Sequence, residues 1–146
     1  MADLLYLIST LVIGLYAGSL LTEAMILVPY WRRMDPSEFF RLHGTLGPSL
    51  YRFFAPLTTI AVVLAVCVPI LDHGQTVTWV VAAILCCLAL AIFFAYFKKA
   101  NDSFANHEIA EEALARELAL WSAWHWLRTV LVVIAFALSI AGHMQT

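Results

Sequence analysis

A glutamate, a histidine and an arginine stand inside segments that are otherwise apolar. Glu23 precedes the basic pair Arg32-Arg33 by nine residues, which in a helix places it roughly 13 Å inside the charged boundary. His125 and Arg128 lie eight and eleven residues beyond Glu117, roughly 12 to 17 Å inside a segment expected to run the opposite way. The three are therefore matched in depth. Ionisable residues so placed usually line a cavity, a proton path or a ligand pocket. The plainer reading is a structural Glu23–Arg128 ion pair, because charges in apolar surroundings are paired whatever the protein does.

The neighbours of these residues fall on defined faces. Trp121, Ser122, His125, Arg128 and Thr129 share one helical face through spacings of three and four. Ser9, Tyr16, Glu23 and Tyr30 recur every seven residues, with Ser19 one turn before Glu23. The two faces are predicted to meet and to enclose a pocket, with Tyr16, Ser19, Trp121, Ser122 and Thr129 as substrate-binding candidates around Glu23, His125 and Arg128. His43, His125 and Glu23 could supply nitrogen and oxygen ligands to a transition metal, although no Glu-x-x-His or His-x-x-x-His spacing is present. A haem clamped in a bundle needs two histidines on facing helices at one depth, and only His125 meets that condition. The cofactor thus stays open between none, a transition metal and haem. Cys67, Cys86 and Cys87 sit in apolar runs and read as small buried hydrophobes, while His73 and His143 read as exposed residues at the opposite end.

The elements that position these residues follow from composition. The 146 residues are 63% hydrophobic and 12% charged, whereas soluble domains carry about a quarter charged residues. Apolar runs of spanning length recur at about 4–29, 50–71, 77–97 and 118–141. The prediction is all-α: one domain over 1–146, an integral membrane four-helix up-and-down bundle with a short interfacial helix between spans 1 and 2. Asp35-Pro36-Ser37-Glu38 is a helix-start signal, and the helix it opens is expected to stop at His43 because Gly44, Gly47 and Pro48 break the chain. Pro56 predicts a kink in the second span. Asp72-His73-Gly74-Gln75 predicts a tight connection, and Asn106 is expected to cap a helix carrying Glu108, Glu111 and Glu112 that runs into the fourth span. The first run is too long for a signal-peptide core and is expected to be retained as a span.

Arg32, Arg33, Arg41 and Arg52 flank the first long connection, and Lys98, Lys99 and Arg116 the second. The positive-inside rule puts both long connections in the cytoplasm and both termini outside, the expected location being a bacterial inner membrane. A net charge of −2 without a basic run gives no support for nucleic acid binding. The partners expected are the lipid bilayer and a lipophilic small molecule. Gly14 and Gly18 form a GxxxG pattern that favours packing within the bundle over dimerisation, leaving a homo-oligomer or a membrane-complex partner open. No phosphate loop, serine nucleophile motif or thiol pair is present.

Glu23 in the first span and Trp124-His125-Trp126-Leu127-Arg128-Thr129 in the fourth resemble the anthrone oxygenase-like integral membrane family, and the resemblance covers nearly the whole chain. It implies four transmembrane helices, a glutamate late in the first, an asparagine followed by an aliphatic residue before the last, and a Trp-His-x-x-Arg element opening the last. Asn106-His107-Glu108-Ile109 occupies the asparagine position. Many members carry a proline between two closely spaced asparagines, whereas here Asn101 and Asn106 are five apart without one.

The resemblance implies oxidation of an anthrone-like aromatic or quinone-like molecule by dioxygen. Glu23 or His125 would abstract an acidic C–H proton, and Arg128 or Asn106 would stabilise the enolate. Two other classes remain open on the sequence: a non-catalytic accessory or binding subunit of a larger membrane complex, and a metal- or haem-binding bundle.

Overall fold

The computed structural model describes residues 2–71 and 77–144, and among them the chain is helical with short turns. Helix α1 (Ala2–Thr22) passes through a π turn (Glu23–Leu27) into α2 (Val28–Trp31). Helix α3 spans Pro36–Leu71. Helix α4 (Val77–Ile92) passes through a second π turn (Phe93–Phe97) into α5 (Lys98–Ala105), and α6 spans Glu111–His143. These make four continuous rods, each long and apolar enough to cross a membrane. Sequence neighbours are spatial neighbours: α3 packs on α1 and α4, and α6 closes the ring against α4 and α1. The predicted connection at 72–75, with His73, lies outside the described residues, as does the side chain of His143.

Helix α3 begins at Pro36 as the start signal predicts, but it does not stop at His43. The expected interfacial helix is instead the opening of a 36-residue rod. The three residues read as a break explain why the helix survives Pro48. A proline ring crowds the Cβ of the preceding residue and the carbonyl four residues back. Those two positions are Gly47 and Gly44. Glycine at 47 removes the Cβ, and packing on both sides supplies what weak propensity lacks.

The bundle is apolar outside and partly polar inside. Leu11, Ile60, Ile84 and Val130 point outward, whereas Ser9, Glu23, Thr58, His125, Arg128 and Thr129 are buried. This is the order expected where lipid is the solvent. Toward the N-terminus of α1 the core combines large side chains such as Tyr6, Tyr16 and Trp79 with small ones, Ala61, Ala65, Ala82, Ala89 and Ala135 among them, which let the helices approach closely. At the other end it is aromatic, with Trp31, Phe39, Phe97, Phe104 and Trp121. Along α1 and α6, Glu23, His125 and Arg128 fall between these two clusters.

Candidate functional site

The π turn in the first rod fixes which residues face inward. Val28 N–H bonds to the Glu23 carbonyl five residues back, which adds a residue to that turn. The seven-residue stripe of Ser9, Tyr16 and Glu23 is buried as predicted, but its next member, Tyr30, is exposed and Trp31 is buried in its place. The polar face therefore ends at Glu23.

Opposite it, α6 delivers His125 and Arg128. Glu23 Oε2 lies 3.7 Å from His125 Nε2 and 3.8 Å from Arg128 Nη2. Both separations are beyond hydrogen-bond length. The histidine is engaged elsewhere: Nε2 is 3.0 Å from the Leu20 carbonyl oxygen, and Nδ1 is 3.0 Å from Arg128 Nη2. A carbonyl only accepts and a guanidinium only donates, so His125 is neutral, with its proton on Nε2 and its lone pair on Nδ1. Both ring nitrogens are thereby occupied. Trp121 stacks on the imidazole at 5.0 Å and 13°, and the Arg128 guanidinium lies 4.3 Å from the centre of the Phe97 ring.

A cavity of about 410 Å³ opens beside this cluster, with Glu23 and Arg128 in its wall and His125 behind it. Two atoms of the cluster have no hydrogen-bond partner in the protein although they are buried, Glu23 Oε2 and Arg128 Nε. An orphan acceptor and an orphan donor thus lie in residues that line one cavity. Their desolvation is uncompensated until something else bonds them.

The other predicted residues are distributed unevenly. Trp121 lines the cavity. Tyr16 is fully buried beneath the cluster and faces Thr58, a cavity residue. The hydroxyls of Ser19 and Thr129 donate to carbonyls on their own helices, of Leu15 and His125 at 2.8 Å each. Ser122 lines a separate groove between the first rod and α6, with Met25 and Arg33.

Asn106 does not reach the cavity. It ends α5 as an exposed C-cap, with its amide 3.4 Å from Glu108, and α6 starts only at Glu111, with Ala110 at its N-cap. Between the two helices His107 takes a left-handed φ of 54°. The asparagine that lines the cavity is Asn101, whose Oδ1 accepts from Trp121 Nε1 at 3.0 Å. Its place in the cavity is hidden in the sequence because the third span is predicted to end at Phe97, before Lys98-Lys99. The helix runs on through the second π turn to Ala105.

The three metal-ligand candidates are not brought together. His43 stands at the outer end of the cavity, stacked on Phe39 at 5.4 Å, while Glu23 and His125 meet at the inner end. Among the described residues no three His, Cys, Asp or Glu side chains gather as a ligand set. With both nitrogens of His125 bonded, its ring has no lone pair free for a metal or haem iron. No family model matches the chain, and no curated protein or solved structure gives a significant match.

Proposed function

We propose that the protein is a membrane-embedded oxygenase-like enzyme for a lipophilic aromatic or quinone-like molecule, with Glu23 as general base and Arg128 as the enolate-stabilising group. One observation carries this reading: the Glu23 carboxylate and the Arg128 guanidinium are buried, line one cavity wall and stand 3.8 Å apart without a hydrogen bond between them. A ring bearing a carbonyl or enol oxygen suits this wall, with its oxygen accepting from Arg128 and its acidic C–H or O–H facing Glu23. The aromatic lining, including Trp31, Phe93, Phe97 and Trp121, suits the ring faces.

The chemistry balances without a further reductant. Glu23 takes a proton from the activated CH₂, and the electron pair passes to an enolate held by Arg128. Dioxygen adds to the electron-rich carbon, the resulting hydroperoxide takes up a proton and loses water, and a ketone remains. Overall one CH₂ and one O₂ become one C=O and one H₂O. His125 is neutral and bonded at both nitrogens, so in this reading it positions Arg128 and does not act as base. The resemblance carried by Glu23 and the Trp-His-x-x-Arg element supports the same reaction class.

In this reading that end of the bundle lies in the cytoplasm of a bacterial cell, which the basic residues around the two long connections support. Oxygen uptake by the purified protein with anthrone as probe tests the activity. Uptake above the uncatalysed rate, abolished in Glu23→Gln, is the expected result, and equal rates with and without protein would overturn the proposal.

A further inference from the structure

The cavity is long. On α3 its lining recurs at His43-Gly44, Gly47-Pro48, Leu50-Tyr51, Phe54-Ala55 and Thr58-Thr59, one helical face with a period of three to four. The opposite wall runs from Leu90 to Ala105. Fifteen residues separate His43 from Thr58, and fifteen separate Leu90 from Ala105, so each wall is about 22 Å long.

Missing side chains make the trough. A Cβ built on Gly44 meets nothing within 4 Å, and one on Gly47 meets only the His43 ring at 3.8 Å. Neither glycine is therefore needed to admit another helix, and the space they leave is not claimed by the protein. Ala55 and Ala105 extend it. The inner end holds Glu23 and Arg128, and the outer end holds His43 and Asn101. Tyr51 and Phe94 line the trough yet are more than half exposed, so it opens sideways toward lipid between them.

We infer that the cavity takes an elongated amphiphile: a hydroxyl- or carbonyl-bearing ring seated at Glu23 and Arg128, and one hydrocarbon chain laid along α3 toward His43 and Asn101. The inference rests on the reading of Glu23 and Arg128 as the ring's polar site. A compact fused-ring molecule fills only the inner part of such a trough. A chain also gains dispersion contacts along its whole length.

The test is binding of 4-alkylphenols, from ethyl to dodecyl, to the full protein in mild detergent. Binding is read by tryptophan fluorescence, because Trp31 and Trp121 line the cavity, and is corrected for partition into micelles. Corrected affinity should rise by about tenfold with chain length and level off once the trough is filled. Ala55→Phe should abolish the gain while ethylphenol still binds. Gly44→Phe, at the exposed outer end, should remove only the benefit of the longest chains. Chain-independent affinity that is lost in Glu23→Gln would overturn the elongated ligand and leave the polar site standing. Failure of every phenol to bind the unaltered protein would overturn both.

Discussion

Arg128 Nη2 sits 3.0 Å from His125 Nδ1, and the same imidazole holds the Leu20 carbonyl of α1 through Nε2. The contact makes the histidine a strut between two helices. Its hydrogen-bond roles are dictated at both ends, so it cannot flip to the other tautomer without breaking both bonds. Nη2 of the guanidinium is spent on His125, while Nε is buried without a partner in the protein.

His125→Phe keeps a ring that can stack on Trp121 but removes both hydrogen bonds. It should lower stability by about 1–3 kcal/mol, the cost of leaving buried polar groups unpaired. A thermal melt in detergent measures this. With anthrone as substrate, kcat should fall more than KM rises, since the ring-binding walls remain while Arg128 loses its bearing.

Arg128→Met should be worse than Glu23→Gln, because it strands a carboxylate beside a neutral imidazole. Removing one partner of a buried pair costs about 3–5 kcal/mol where the pair is hydrogen-bonded. Here the charged atoms are 3.8 Å apart without a hydrogen bond, so a coupling of about 1 kcal/mol is expected in the double-mutant cycle with Glu23→Gln. A coupling indistinguishable from zero would mean the two side chains do not sense each other.

The convergence of Glu23, His125 and Arg128 was legible because depth in a span is a matter of counting residues at a fixed rise. Facing was less legible. Each π turn shifts the inward face by about one residue, which no repeat of three, four or seven reveals, and so Trp31 rather than Tyr30 is buried. The continuity of α3 was hidden because Gly44, Gly47 and Pro48 are individually breakers, and only their relative spacing lets the helix pass. The trough was nevertheless written in the sequence: His43, Gly47, Tyr51, Ala55 and Thr59 recur every four residues. Asn101 was obscured by Lys98-Lys99, read as the end of a span.

Two glycine substitutions should differ sharply. A Cβ on Gly142 would lie 2.5 Å from the ring of Trp79, which is fully buried and has nowhere to move, so Gly142→Ala should cost about 1–3 kcal/mol. A Cβ on Gly18 meets nothing within 4 Å, and Gly18→Ala should be neutral or gain up to about 1 kcal/mol from helix propensity. Unfolding midpoints in one detergent compare them directly. Of the GxxxG pair, only Gly14 has a tight neighbour, the Phe136 ring of α6, as packing within the bundle requires.

Ser37 and Glu112 are exposed, one in each long-connection region. With the three native cysteines replaced by alanine, Ser37→Cys and Glu112→Cys should both react with a membrane-impermeant maleimide in inverted vesicles and neither in sealed cells. Labelling of one from each side would contradict the proposed topology.

Anaerobic solvent exchange isolates the proposed proton transfer to Glu23, from a ring bound beside Arg128, from oxygen chemistry. Anthrone would be incubated with the protein in D₂O without dioxygen, and deuterium incorporation at the acidic CH₂ followed by NMR. Exchange above the uncatalysed rate is expected, reduced in His125→Phe and returned to background in Glu23→Gln. Exchange in Glu23→Gln as fast as in the unaltered protein would contradict it.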